Sequence, residues 1–350
     1  MPSEKLCWGI LGTGNIAHQF AEGLIGSDRG VATAVGSRHT RSAEQFAQAY
    51  RIGSHHGRYE DLVHDRRVDV VYVSLPNTMH HEWTLKALHA GKHVLCEKPF
   101  ASSAAESEEM FDLAERQGLR VVEAFMYRSH DQTLEVFEKI ENGAIGRLCL
   151  IRTSFCYRTT KIEGNIRFNP ALAGGALMDV GCYCINFSRY FARDEPTDIR
   201  AVACMHETGV DEMVVGTLCF TGGLIASFTC GMTVQADNTA YLCGRDGFIE
   251  IPVPWKPPAH GAQYRIKHSV SPRQDKSKTI PVPTQIVKID SADKPIFAVE
   301  ADDFAATILD GAPPRVTRQD TLANMAVLDE IRRQIGGGQR DGYCERNQSR

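Results

Sequence analysis

A glycine-rich turn near the amino terminus has the residue types and spacing to hold a phosphate group. It follows the apolar run Leu6–Leu11 and precedes apolar residues at helical spacing. Gly12 allows a tight turn, and Gly14 lets the backbone approach a pyrophosphate at a helix N-terminus. The pattern predicts a dinucleotide site, and a glycine turn without a ligand is the alternative. The predicted cofactor-binding residues of this turn are Gly12, Thr13, Gly14, Asn15 and Ile16.

The end of the second predicted strand indicates which dinucleotide is bound. An NAD site usually places an acid there, on the ribose 2′-hydroxyl. Here the strand Val31–Gly36 continues into Ser37 and Arg38. Arginine binds a phosphate through two parallel charge-assisted hydrogen bonds. The pair therefore favours NADP over NAD, and a solvated loop arginine is the alternative.

A lysine follows a later strand of the same pattern. Glu97-Lys98-Pro99 comes directly after Lys92–Cys96. Proline pushes the preceding residue into an extended conformation, so Lys98 should project from the carboxyl end of a parallel strand, where ligands bind. Lys98 could there hold a ribose or substrate oxygen. An exposed lysine at a capped strand end is the alternative.

Three polar residues share one face of an otherwise apolar predicted helix. Asp179, Tyr183 and Asn186 stand at i, i+4 and i+7 within 175–192. The segment lacks the lysines and glutamates of a solvent face, so its polar stripe is expected to look into a cleft. A helix facing water is the alternative.

The elements that must position these residues fall into two patterns. Up to about residue 123, strands and helices alternate, which predicts an α/β Rossmann domain with a parallel sheet. Its strands are predicted near residues 5–11, 31–36, 68–75, 92–96 and 119–123. Residues 124–335 predict an α+β domain with a large, mostly antiparallel open sheet, whose uncovered face suggests a homodimer or higher homo-oligomer. The last helix, 318–335, is expected to pack back on the first domain, and 336–350 form a polar tail.

Composition excludes several classes of partner. The 350 residues are 43% hydrophobic with a net charge of −4, so nucleic acid is not an expected partner. No signal peptide or membrane span is evident. The 11 cysteines are scattered without metal-ligand spacing, which predicts free thiols in the cytoplasm and no metal site. The expected partner is a small-molecule substrate.

Together these motifs resemble the glucose–fructose oxidoreductase/inositol dehydrogenase (Gfo/Idh/MocA) family. The resemblance rests on the glycine turn, on Pro76–His80, on Glu97–Pro99 and on Asp179–Tyr183, and it covers nearly the whole chain. It is greatest to the dimeric dihydrodiol dehydrogenases and the NADP-dependent D-xylose dehydrogenases, through Glu123–Arg128, Asn169–Gly175 and Gly244–Glu250. The resemblance adds four residues to the expected cofactor site, namely Pro76, Asn77, His80 and Glu97.

The resemblance also implies a catalytic pair, Lys98 and Tyr183. Tyr183 would take the hydroxyl proton in oxidation and return it in reduction, and an adjacent ammonium would lower its pKa. Asp179 would bond a substrate hydroxyl or orient Lys98. Many relatives carry histidine where Tyr183 stands, which puts inositol-type activity in doubt.

The implied activity is hydride transfer between NADP and an aldose such as D-xylose, or a cyclic trans-diol. Reduction of a ketosugar or dicarbonyl, and a non-catalytic NADP-binding regulator, are the alternatives. Candidate substrate-binding residues have ordinary alternatives as surface charges or packed aromatics. They are Tyr127, Arg152, Tyr157, Arg167, Phe168 and Asn186.

Overall fold

The glycine turn lies at the centre of a six-stranded parallel sheet. The strand order is β3-β2-β1-β4-β5-β6, so the sheet continues on both sides of β1 and its order reverses there. This reversal is the point at which open α/β sheets bind ligands. The strands are β1 (Leu6–Leu11), β2 (Gly30–Gly36), β3 (Ser54–His56), β4 (Val70–Val73), β5 (His93–Glu97) and β6 (Val121–Ala124).

Helices separate these strands and supply apolar faces to the core. Leu11, Val71 and Val94 from the strands are buried with Trp83 and Met110 from two of the helices. The helices are α1 (Asn15–Leu24), α2 (Thr40–Tyr50), α3 (Tyr59–Val63), α4 (His80–His89), α5 (Ala104–Gln117), α6 (Asp131–Glu141), α7 (Cys182–Ala192), α8 (Ile296–Leu309) and α9 (Arg318–Gly337).

A second sheet has eight strands in the order β14-β13-β12-β11-β7-β10-β9-β8. Adjacent strands in this sheet are mostly antiparallel, whereas β7 and β10 pair in parallel. Strands β9 and β10 form a hairpin, since they pair in antiparallel register around a three-residue turn. The strands are β7 (Leu148–Cys156), β8 (Asp198–Met205), β9 (Asp211–Cys219), β10 (Ile225–Gly231), β11 (Ala240–Gly244), β12 (Gly247–Ile251), β13 (Gln263–His268) and β14 (Thr284–Lys288).

One face of this second sheet packs against helical structure. Thr153 of β7 bonds Cys184 of α7, and Cys230 of β10 lies against Gly181. Side chains of opposite parity point to the other face, where Val215 and Ile225 are exposed. The predicted fold class, a Rossmann sheet followed by an open, mostly antiparallel sheet, is confirmed.

The structure, a computed structural model, describes residues 5–268, 283–289 and 294–337. The chain divides into two units. The first comprises Met1–Val136, Trp255–Gln263 and Lys288–Met325, and the second comprises Phe137–Pro254, Tyr264–Val287 and Ala326–Arg350. The domain boundaries predicted after residues 123 and 335 stay a prediction. Gly336 and Gly337 extend α9, and residues 338–350 of the predicted tail lie outside the described residues.

Candidate active site

The glycine turn has the backbone geometry that a phosphate requires. Gly12 has φ +108°, and a Cβ there would lie 2.8 Å from the carbonyl oxygen of Ser74, so only glycine fits. Gly14 is the N-cap of α1, supplies no side-chain oxygen to the helix N–H groups, and has open space within 4 Å of an added Cβ. Asn15 and Ile16 begin the helix. The turn therefore fits a pyrophosphate.

The end of β2 adds hydroxyl groups and a cation to this turn. The hydroxyl oxygens of Thr13 and Ser37 are 3.4 Å apart. Arg38 is exposed and bonds the hydroxyl of Tyr59. Burial raises the pKa of Tyr59, and the Arg38 charge opposes that rise. A serine hydroxyl followed in the chain by an exposed guanidinium fits a ribose 2′-phosphate.

Lys98 follows β5, as predicted, and is half-buried. Glu97 before it is buried and holds two donors, because one carboxylate oxygen accepts from the Tyr72 hydroxyl and the other from the Lys98 backbone N–H. These contacts fix the end of the strand. In the structure, Glu97 thus holds the backbone at Lys98. The contact of Glu97 with a cofactor stays a prediction.

His80 contacts the loop that follows Lys98. It is 1% exposed, and its ring nitrogens lie 2.9 Å from the Pro99 carbonyl oxygen and 2.8 Å from that of Leu75. Burial lowers the pKa of His80, and the Lys98 ammonium lowers it further. A neutral imidazole has one N–H, so it donates to one of these two carbonyls. Asn77 begins the short 3₁₀ turn that precedes α4, and Pro76 is the N-cap of that turn.

In the second unit, two donors converge on one oxygen of Asp179. The Tyr157 hydroxyl donates to Oδ2 across 2.6 Å, and Arg167 Nε donates to the same atom across 2.8 Å. Burial raises the pKa of Tyr157 well above its usual range, and the Asp179 charge adds to the rise. The Asp179 carboxylate raises the pKa of Arg167, with a smaller effect from Tyr183. The structure therefore brings together four predicted residues, Tyr157, Arg167, Asp179 and Tyr183.

The helix that carries Asp179 is less regular than its spacing predicts. Leu177–Gly181 form a π-helical turn, and α7 begins after it. Tyr183 is 5% exposed and packs edge-on against Phe155, with ring centroids 5.4 Å apart. Asn186 is buried on the same helix. Phe155 was not among the predicted residues, although it stands two residues before Tyr157, on the same side of an extended chain, which could have indicated it.

Three predicted substrate-binding residues make other contacts. Arg152 faces the other side of the sheet from Thr153 and lies over the Tyr241 ring at 5.0 Å. Phe168 packs on His206, and in the first unit Tyr127 is fully buried against Trp255. Their contact with a substrate stays a prediction.

Neither a membrane-spanning helix nor a metal-binding cluster is present among residues 5–268, 283–289 and 294–337. No helix there has both the length and the apolar character to cross a bilayer. In the same residues, no three His, Cys, Asp or Glu side chains are placed to share a metal ion.

Two family models match successive parts of the chain. Residues 6–125 match the model described as "Oxidoreductase family, NAD-binding Rossmann fold", and residues 133–250 match the model described as "GFO/IDH/MocA C-terminal domain". The chain belongs to the Gfo/Idh/MocA family. The predicted family is confirmed, and with it the prediction of an oxidoreductase.

Named members of the Gfo/Idh/MocA family are similar along most of the chain. Trans-1,2-dihydrobenzene-1,2-diol dehydrogenase from Mus musculus is 38% identical over 72% of this chain and 76% of its own. D-xylose 1-dehydrogenase (NADP(+)) 2 from Haloferax volcanii is 29% identical over 93% of this chain and 96% of its own. A 3-ketoreductase from Actinomadura kijaniata, solved with NADP and TDP-benzene, has a TM-score of 0.83 and 28% identity over 95% of this chain and 98% of that one.

Proposed function

We propose that this protein transfers a hydride between NADP and a hydroxyl group of a sugar or a cyclic diol. One observation supports NADP as the cofactor: Ser37 and Arg38 directly follow β2, where an NAD site has an acid, beside the turn at Gly12. The substrate class follows from relatives named for a diol and for D-xylose. Both agree with what the sequence predicts.

The cofactor would be held by residues of the first unit. Gly12, Thr13 and Gly14 would receive the pyrophosphate, and Ser37 and Arg38 the 2′-phosphate. NADP, when bound, supplies or accepts the hydride. Asn15, Ile16, Pro76, Asn77, His80, Glu97 and Lys98 complete the proposed cofactor site.

Proton transfer is assigned to Tyr183. Oxidation of an alcohol requires loss of its hydroxyl proton, and reduction of a carbonyl requires gain of one, so a single phenol can serve both directions. Lys98 supplies the positive charge that favours an oxygen anion during this step. Asp179, fixed by Tyr157 and Arg167, orients the substrate.

Steady-state assays test the proposal. Absorbance of reduced nicotinamide is followed with NADP or NAD against D-xylose, D-glucose, other aldoses, inositol and cyclic trans-diols. Turnover with NADP and an aldose or diol is expected. Tight NADPH binding without turnover on any of these compounds would contradict it and favour the regulator.

The reductive direction is a second candidate because of one relative. The similar structure from Actinomadura kijaniata is named a 3-ketoreductase. Oxidation of NADPH by ketosugars and dicarbonyls, measured beside the oxidative panel, separates the two directions. A kcat/KM for a ketosugar well above that for every alcohol would assign reduction.

We also propose that the open face of the second sheet joins copies of this chain. Val202, Val215 and Ile225 stand exposed on neighbouring strands of that face, at 71%, 41% and 44%. Contiguous exposed apolar side chains mark association surfaces. Light scattering should show a dimer or larger for the parent and a monomer for Val202→Lys with Val215→Lys. Val253→Lys, outside the strands, is the control, and a monomeric parent would contradict the proposal.

A cytoplasmic location is proposed on the state of the thiols. The thiols of Cys7, Cys96, Cys149, Cys156, Cys184, Cys219, Cys230 and Cys243 are free. Structural disulfides accompany oxidising compartments, so free thiols support a reducing one. Localisation of the tagged protein by microscopy or fractionation tests this, and recovery in a secreted fraction would contradict it.

A further inference from the structure

A buried carboxylate holds the start of the helical segment that carries Asp179 and Tyr183. Asp211, the first residue of β9, is 7% exposed. Its Oδ2 accepts a hydrogen bond of 2.7 Å from the backbone N–H of Leu177. The N–H of Ala176 also bonds this carboxylate. These N–H groups stand where a helix has no partners of its own.

The backbone before the helix is shaped to admit this carboxylate. Gly175 has φ +114°, a conformation that side chains other than glycine rarely adopt. A Cβ on Gly175 would lie 2.1 Å from Oδ1 of Asp211. Glycine at this position is therefore required for the close approach of the two chain segments.

The surroundings set the charge on Asp211. Burial raises its pKa to about 6, while the bonds from Leu177 and Ala176 and the charge of Arg332 on α9 oppose the rise. The Cys230 thiol of β10 is also electrostatically coupled to it. An anion at a helix N-terminus is favoured by the helix dipole. Asp211 is thus ionised at pH 8 and protonated at pH 5.

We propose that Asp211 is a positioning residue, which fixes the N-terminal turn of this helical segment and so aligns Asp179 and Tyr183 for reaction. The inference rests on the proposed function of Tyr183. Asp179 lies two residues after Leu177, within the π-helical turn, and Tyr183 follows one turn later. A displaced helix start would move both side chains, and an error of about 1 Å costs on the order of 100-fold in rate.

The test compares Asp211→Asn with the full-length parent. Asparagine keeps the shape and loses the charge, so kcat at pH 8 should fall about 10-fold. The Kd for NADPH should not change. Amide hydrogen exchange in residues 176–186 should accelerate. At pH 5 the parent carboxylate is itself protonated, so the ratio of parent to variant kcat should approach one there.

A matched acid on the neighbouring strand serves as the control. Asp198 of β8 is exposed and pairs with Arg200. Asp198→Asn should leave kcat, its pH profile and amide exchange unchanged. If Asp211→Asn does not fold, Asp211→Glu keeps the charge but displaces it by one methylene. That variant should retain NADPH binding and lose kcat about 10-fold.

Two outcomes separate this inference from the function on which it rests. Unchanged exchange and a constant kcat ratio from pH 5 to 8 in Asp211→Asn, together with an inactive Tyr183→Phe, would overturn the inference alone. Full activity in Tyr183→Phe would overturn the proposed function instead. Faster exchange in Asp211→Asn would then still show that Asp211 holds the helix.

Discussion

Tyr157 donates its hydroxyl hydrogen to Oδ2 of Asp179 across 2.6 Å. The pKa of Tyr157 is raised well above its usual range, first by burial and then by the Asp179 charge. This phenol therefore stays protonated across the pH range of an assay and acts as a permanent donor. The proposed proton-transfer role is therefore left to Tyr183, which packs against Phe155.

Tyr157→Phe should weaken catalysis without changing its pH profile. The change removes one hydrogen bond to a charged carboxylate, so kcat/KM should fall about 10-fold. The alkaline limb of the profile should not move, because Tyr157 does not titrate there. Tyr241→Phe, under Arg152 on the other face of the sheet, is the control. A shifted alkaline limb in Tyr157→Phe would mean that Tyr157 itself exchanges the proton.

Tyr183→Phe should retain NADPH affinity and lose at least about 100-fold in kcat, the scale of general acid–base catalysis. Phenylalanine preserves the packing on Phe155, so the melting temperature should remain close to that of the parent. Stopped-flow absorbance measures the loss of turnover, and fluorescence titration measures the NADPH affinity. Near-normal turnover would remove Tyr183 from the reaction.

Arg38→Ala should change the preference between the two dinucleotides. Loss of a charge-assisted contact to a 2′-phosphate is expected to raise the KM for NADP about 30-fold and to leave the KM for NAD nearly constant. Arg58→Ala is the control because Arg58 is exposed and its ion pair with Glu60 is long, at 3.9 Å. Equal increases for both cofactors would show that Arg38 does not read the 2′-phosphate.

Local patterns were sufficient to predict the first sheet. Apolar runs of strand length between helical repeats predicted β1, β2, β4, β5 and β6, and Gly12 and Lys98 fell at their carboxyl ends. β3 and α3 were missed because they have three and five residues, too few for a period to show. The π-helical turn was missed because side-chain spacing does not report backbone bonding.

Contacts between distant segments could not be predicted. Asp211 and Leu177 are 34 residues apart, and only the register of β9 brings them together. Arg152 shows that a predicted strand does not reveal which face of the sheet each residue lies on until its register is known. The buried residues on either side, Ile151 and Thr153, place Arg152 on the opposite face from α7, and that alternation emerges once the strand is aligned.

Gly14→Ala should separate cofactor binding from folding. An added Cβ at Gly14 meets open space, so the melting temperature should stay within about 2 °C of the parent. The same methyl group projects where a pyrophosphate approaches, so the Kd for NADPH should rise at least 10-fold, about 1.4 kcal/mol. Gly12→Ala, which meets the Ser74 backbone, should lose both binding and stability. Unchanged NADPH affinity in Gly14→Ala would place the phosphate elsewhere.

Glu300→Gln should make unfolding less dependent on pH. Glu300 of α8 is 5% exposed, and its pKa is raised well above the usual value by burial, then by the charges of Glu97 and Asp303. The folded protein therefore binds this proton more tightly than the unfolded chain does. The resulting stability is full below about pH 4.5 and is lost as pH rises toward the raised pKa.

Glutamine is neutral throughout this range, so the free energy of unfolding of the variant, relative to the parent, should increase from pH 5 to pH 8. Urea unfolding at each pH measures the difference. Glu44→Gln, on the exposed face of α2, should stay parallel to the parent. If the difference between Glu300→Gln and the parent is constant with pH, Glu300 has the same pKa in the folded and unfolded chains. That result would contradict the raised pKa expected from its burial near Glu97 and Asp303.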